Sequence, residues 1–167
     1  MGGAVQSMPG TTDIDEAWFI GGTRADGKIT FTSGHVDEGW AKWNVSFASA
    51  ANFQVYLIIN SGNGKKFTVA LQDANGDDVV TPLYKNGGEQ GSNISLEMGT
   101  MEVPAGNYIL KVSNAEAWSD AEILGVQLAY AGGAAIELSK TTPAELLANA
   151  DAILSDDWTI EGGKITH

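Results

Sequence analysis

From position 40 to 47 the chain alternates: Trp43, Val45 and Phe47 are apolar, while Lys42, Asn44 and Ser46 are polar. A period of two is the mark of a strand with one buried face, so this segment predicts a β-strand with Trp43 in the core. Trp40 stands before the alternation is established, and core and surface are both open to it. Strands are also expected over 28–32, 53–59, 67–71, 78–81, 94–103, 108–112 and 121–130. Turn signals punctuate them: Ser33-Gly34, the run from Asn60 to Gly64, Asp73-Ala74-Asn75-Gly76-Asp77 and Pro104-Ala105-Gly106-Asn107. Asn-Gly is the strongest short hairpin signal, because both residues accept positive φ. The stretch 85–93 is polar and Gly-rich and reads as a loop. Short strands with turns about every 8–12 residues predict an all-β, jelly-roll β-sandwich over residues 13–131. Residues 1–12, small and polar, read as a disordered leader.

The last 36 positions, 132–167, carry a different pattern. Gly132-Gly133 makes a hinge. Thr142-Pro143 followed by Ala144-Glu145-Leu146-Leu147 has a capping residue, a proline at the first helical position and good helix formers, which predicts a short helix. The end repeats the beginning: Trp158-Thr159-Ile160 matches Trp18-Phe19-Ile20, and Gly163-Lys164-Ile165-Thr166 matches Gly27-Lys28-Ile29-Thr30. The sandwich therefore has a short helical and extended C-terminal tail. That tail reads as the opening strands of a second module, as an element that docks on an exposed sheet edge, which makes it a candidate for self-association, or as a chance match over a short window.

Composition narrows the function. Hydrophobic residues at 43% allow a packed core, and 21 glycines with only 18% charged residues suit strands and turns better than helices. Twenty-one acids against 9 bases leave a net charge of −12, which repels a polyanion and argues against nucleic acid as a partner. The absence of cysteine excludes disulfides and thiolate metal sites. No apolar run approaches the roughly 18 residues of a membrane span. The first residues lack the basic and apolar regions of a signal peptide.

Three stretches resemble the family 6 and family 35 carbohydrate-binding modules of secreted bacterial polysaccharide-degrading proteins. They are Ser33-Gly34-His35-Val36-Asp37-Glu38-Gly39-Trp40-Ala41-Lys42-Trp43, then the aliphatic-Pro-Ala-Gly turn and strand from Val103 to Val112, then Ala121 to Leu128. The resemblance spans about residues 13–130. It implies a non-catalytic domain that binds a poly- or oligosaccharide, with no nucleic acid and no membrane insertion. It also implies an extracellular or cell-surface location, with the export signal outside this sequence. A sugar presents an apolar C–H face that stacks on an aromatic side chain and hydroxyls that need polar partners.

By the family's layout the carbohydrate-binding candidates are His35, Trp40, Tyr84, Trp118 and Glu122. Three of them depart from the pattern. His35 stands where the family has a stacking aromatic, Glu122 where a rim Asn opens the last strand, and the loop 87–93, which usually carries a second aromatic, has none; Tyr84 lies just before it. Trp118, flanked by Glu116, Ser119 and Asp120, reads either as a sugar platform or as a loop tryptophan folded back on the sandwich. The alternative function is a structural or adhesive β-sandwich repeat of a surface protein without a sugar site, and the missing loop aromatic favours it.

Modules of this kind often hold a structural Ca²⁺ near the first strand. Asp13, Asp15 and Glu16 are the calcium-binding candidates, being hard oxygen donors in the right region; a solvated acidic turn is the other reading of them. Catalysis is not expected. With His35 and the terminal His167 as the only histidines, Ser33 and Asp37 lie too near His35 in sequence to imply a triad. No pair of the many carboxylates is singled out for glycoside hydrolysis.

Overall fold

A computed structural model of the chain describes residues 3–32, 39–61, 65–88, 90–117, 120–131, 159–161 and 164–166. The chain divides into two units, Met1–Gly133 and Ala134–His167.

The first unit is an all-β sandwich of two sheets. The front sheet runs in the order β1 (Gln6–Met8), β6 (Trp40–Phe47), β11 (Gly106–Ala117), β8 (Lys65–Gln72) and β9 (Leu83–Asn86), with β3 (Trp18–Ile20) on the same edge of β6 as β1. The back sheet runs β10 (Ile94–Val103), β7 (Ala51–Asn60), β12 (Ala121–Tyr130), β5 (Lys28–Phe31) and β4 (Gly22–Ala25), with β2 (Gly10–Thr11) also on β12. Every pairing is antiparallel except that of β1 with β6.

Alternation sets which side chains fill the space between the sheets. On β6, Ala41, Trp43, Val45 and Phe47 are buried, and Trp43 is 0% exposed. Phe67, Val69 and Leu71 of β8 and Leu110 and Val112 of β11 join them from the front sheet. Phe53, Val55, Leu57 and Ile59 of β7 meet them from the back sheet, with Ile123 and Leu128 of β12 and Ile29 and Phe31 of β5. Burying one such side chain contributes about 1.5–3 kcal/mol.

The N-terminal segment is not the disordered leader expected from its composition. Its β1 continues one sheet and its β2 the other, and Met8 is buried in the core. Thr12 sews it down: its N–H donates to the Val126 carbonyl and its hydroxyl accepts the Val126 N–H, both at 2.9 Å. The signal missed was pairing, since small polar residues supply backbone donors and acceptors as well as any others.

The strand expected over 78–81 is reduced to a single bridge between Gln72 and Asp78. The Asp73 carboxylate accepts the N–H groups of Asn75 and Asp77, closing the turn with Gly76 at φ 84°. Pro82 then lacks a donor and restricts the residue before it, so pairing resumes only at β9, which takes Lys85 and Asn86 out of the expected loop.

In the second unit β13 (Thr159–Glu161) and β14 (Lys164–Thr166) form an antiparallel pair. Glu161 faces Lys164, as Ala25 faces Lys28 in the pair β4–β5, so both hairpins have two-residue connections. The register aligns 159–166 with 23–30 without a gap. It moves the equivalence of Thr159 and Ile160 away from Phe19 and Ile20, which belong to β3 and pair with β6 instead. The helix expected after Thr142 lies outside the described residues.

Candidate functional site

The even positions of β6 point away from the core, so Trp40, Lys42 and Asn44 line the outer face of the front sheet. Three registers extend that face across the strands. Trp40 lies opposite Ser113, Ser113 opposite Thr68, and Thr68 opposite Tyr84; on the other side Trp40 faces Ile20. The result is one cross-strand row, Ile20–Trp40–Ser113–Thr68–Tyr84. Adjacent strands lie about 4.8 Å apart, so the two aromatics stand about 14 Å apart with two hydroxyl residues between them. Tyr84 is 53% exposed and Ile20 48%, while Trp40 is half-buried.

The next row reads Trp18–Lys42–Lys111–Ala70. The Lys42 ammonium sits 4.3 Å from the centre of the Trp40 ring, a cation–π contact that covers one face of the indole. Burial lowers the pKa of Lys42, and the charge of Lys111 lowers it further. Beyond Asn44 and Ile109 the face runs into a cavity of about 210 Å³ lined by Val5, Asn44, Ala74, Asn107 and Ile109. Val5 and the 73–77 turn thus bound the face at that end.

Glu122 is held elsewhere. Its neighbours Ala121 and Ile123 are in the core, so it lies on the outer face of the back sheet. Lys28 Nζ meets its Oε2 at 2.7 Å and Asn60 Nδ2 donates to its Oε1 at 3.2 Å. The Lys28 hydrogen bond is the chief reason its pKa is lowered; burial opposes the shift, and the Asn60 bond and the charges of Lys28 and Lys65 add to it. Asn60 Oδ1 in turn accepts the Asn93 N–H, and Lys65 Nζ donates to the Ser61 carbonyl. This network ties β5, β7 and β12 to the loop before β10. Glu122 therefore does not join Trp40 and Tyr84 in one cleft: they occupy opposite outer faces. His35 and Trp118 lie outside the described residues.

Two of the three acids expected to hold calcium, Asp13 and Glu16, are engaged with backbone. Asp13 caps the 3-10 turn Ile14–Glu16, its Oδ1 accepting the Asp15 N–H at 2.9 Å, and Glu16 Oε2 accepts the Ala4 N–H at 2.6 Å. Among the described residues no three or more His, Asp or Glu side chains are grouped so as to hold a metal ion. Asp13 thus serves as a turn cap and Glu16 as a tie to the leader. No helix among the described residues is long and apolar enough to cross a membrane.

Sequence reasoning missed Thr68, Ser113, Lys42 and Lys111. The parity that placed Trp43 inside also places Trp40 and Lys42 outside, but which residues stand beside them depends on strand order.

The fold is that of the family 6 and family 35 carbohydrate-binding modules. The chain is similar to the carbohydrate-binding module CBM6cm-2 of Cellvibrio mixtus lichenase 5A, solved in complex with cellotriose: TM-score 0.56, 12% identity, covering 74% of this chain and 98% of that one. It is similar also to the Podospora anserina GH26-CBM35 β-(1,4)-mannanase, with TM-score 0.53 and 17% identity over 72% of this chain, but it spans only 27% of that enzyme. No protein-family model matches the chain, and no curated protein matches it in sequence.

Proposed function

We propose that the sandwich is a non-catalytic glycan-binding module whose ligand lies on the outer face of the front sheet. The observation that carries this reading is the row Trp40–Ser113–Thr68–Tyr84, two aromatics bracketing two hydroxyls on an exposed sheet. Aromatic rings take the apolar faces of sugars, and hydroxyls between them take the rim. The likeness to a module solved with cellotriose supports the same class of ligand. A secreted or cell-surface setting goes with this reading, because polysaccharides of that kind lie outside the cell. The second reading, a structural repeat of a surface protein, is favoured by the tail hairpin, whose Gly163-Lys164-Ile165-Thr166 reproduces Gly27-Lys28-Ile29-Thr30 in the same register.

A glycan-array screen of the full chain beside its Trp40→Ala and Tyr84→Ala variants separates the two. Binding that weakens in both folded variants supports the module. An array with no bound glycan leaves the structural repeat.

A further inference from the structure

Lys42 and Lys111 are directly opposed across β6 and β11, the second and third strands of the front sheet. Like charges placed opposite one another in an antiparallel pair are unfavourable. The chain has 21 acids against 9 bases, so an acid was readily available to separate them. Among the described residues none stands in their row, Trp18–Lys42–Lys111–Ala70, or in the row of Trp40 and Tyr84, and the row Asn44–Ile109–Gln72 meets an acid only at its far end, where Asp78 bridges Gln72 two strands from β11. Among the described residues the acids nearest in register lie at the margins: Asp78, whose Oδ1 accepts from the Gln72 side chain, and Glu116, whose position on β11 is in register with Lys66. Both lysines are half-buried, and Lys42 is drawn over the Trp40 ring. The face therefore holds two close positive charges beside an aromatic platform, in a protein that is otherwise strongly acidic.

We propose that the ligand of this face is an anionic glycan, with a carboxylate or sulfate of the sugar received between Lys42 and Lys111. The proposal rests on the glycan-binding reading above and names the class of sugar. Opposed residues in an antiparallel pair have Cα atoms about 4.5–5.5 Å apart, so one oxyanion can accept from both ammonium groups while its ring lies toward Trp40. It would also relieve the repulsion between them. The net charge of −12 opposes a densely charged polyanion such as nucleic acid, but a single carboxylate or sulfate seated between the lysines meets chiefly these two charges, since at physiological ionic strength charges beyond about 8 Å are largely screened.

The test is a microarray carrying neutral oligosaccharides, oligouronates and sulfated oligosaccharides, probed with the full chain and with Lys42→Gln, Lys111→Gln, Lys111→Arg and Trp40→Ala. Wild type is expected to favour one anionic class over the neutral set. Each Lys→Gln change should weaken that binding by roughly tenfold or more, as expected for loss of a hydrogen bond between charged groups. Lys111→Arg should retain it, and the array shows whether uronate or sulfate is the group recognised. Neutral glycans bound as well as anionic ones, dependent on Trp40 and indifferent to both lysines, would overturn the anionic proposal and leave the sugar site standing. Anionic binding that survives both Lys→Gln changes would also overturn it. No binding to any glycan would remove the proposal and the sugar site together.

Discussion

Trp40 and Trp43, three residues apart on β6, point to opposite sides of the front sheet. Trp43 is 0% exposed and its Nε1 donates to the Asp13 carbonyl at 2.8 Å; Trp40 lies on the outer face beneath the Lys42 ammonium. One indole builds the core and the other lies outside it. Their alanine variants should separate accordingly. Trp43→Ala opens a cavity and leaves the Asp13 carbonyl without this donor, at a cost of about 3–5 kcal/mol. Trp40→Ala should leave most of the stability in place. Urea denaturation of the two variants checks the contrast, and equal losses would place both side chains in the core.

Thr12 is the stitch that holds the N-terminal segment to β12. Its hydroxyl accepts the buried Val126 N–H, and the backbones approach closely at Gly125 beside it: a Cβ there would stand 3.1 Å from the Thr12 carbonyl. Thr12→Val keeps the shape but orphans that donor, which should cost about 1–3 kcal/mol. Amide exchange at Val126 should accelerate in the variant. Unchanged stability and exchange would mean that the leader contributes nothing to the sheet.

The Glu122–Lys28 pair predicts a pH dependence. The carboxylate's pKa is lowered in the fold from 4.5, so its contribution is fully present above 4.5 and is lost as pH falls through the lower folded value. Partly exposed pairs contribute about 0.2–1 kcal/mol. Glu122→Gln should therefore be slightly less stable than wild type near neutral pH. The gap should begin to close below 4.5, which denaturant titrations at neutral and acid pH would measure. A gap that persists at the acid end would assign the loss to the Asn60 hydrogen bond alone.

Much of the scaffold was legible because period-two alternation is local. The strands over 40–47, 94–103 and 121–130 have the bounds the sequence implied, and Trp43 lies inside as its parity required. The leader was misread because β1 and β2 are held by backbone bonds that composition does not reveal. The site was legible only in pieces. Trp40 and Tyr84 could be named singly, but their common row passes through β11 and β8, and that strand order is not the order of the chain. For the same reason Lys42 and Lys111 drew no notice. Glu122 was assigned by analogy to the aromatic site, yet it serves the back sheet.

The central claim, that the ligand lies on the outer face of the front sheet, is tested most directly by mapping amide and indole shifts of the isotope-labelled chain. The titrants would be a cello-oligosaccharide and an oligouronate. The account predicts that whichever binds moves Trp40, Thr68, Ser113 and Tyr84 most and leaves Glu122 and Asn60 nearly still. Shifts centred on the back sheet, or none with either sugar, would contradict it.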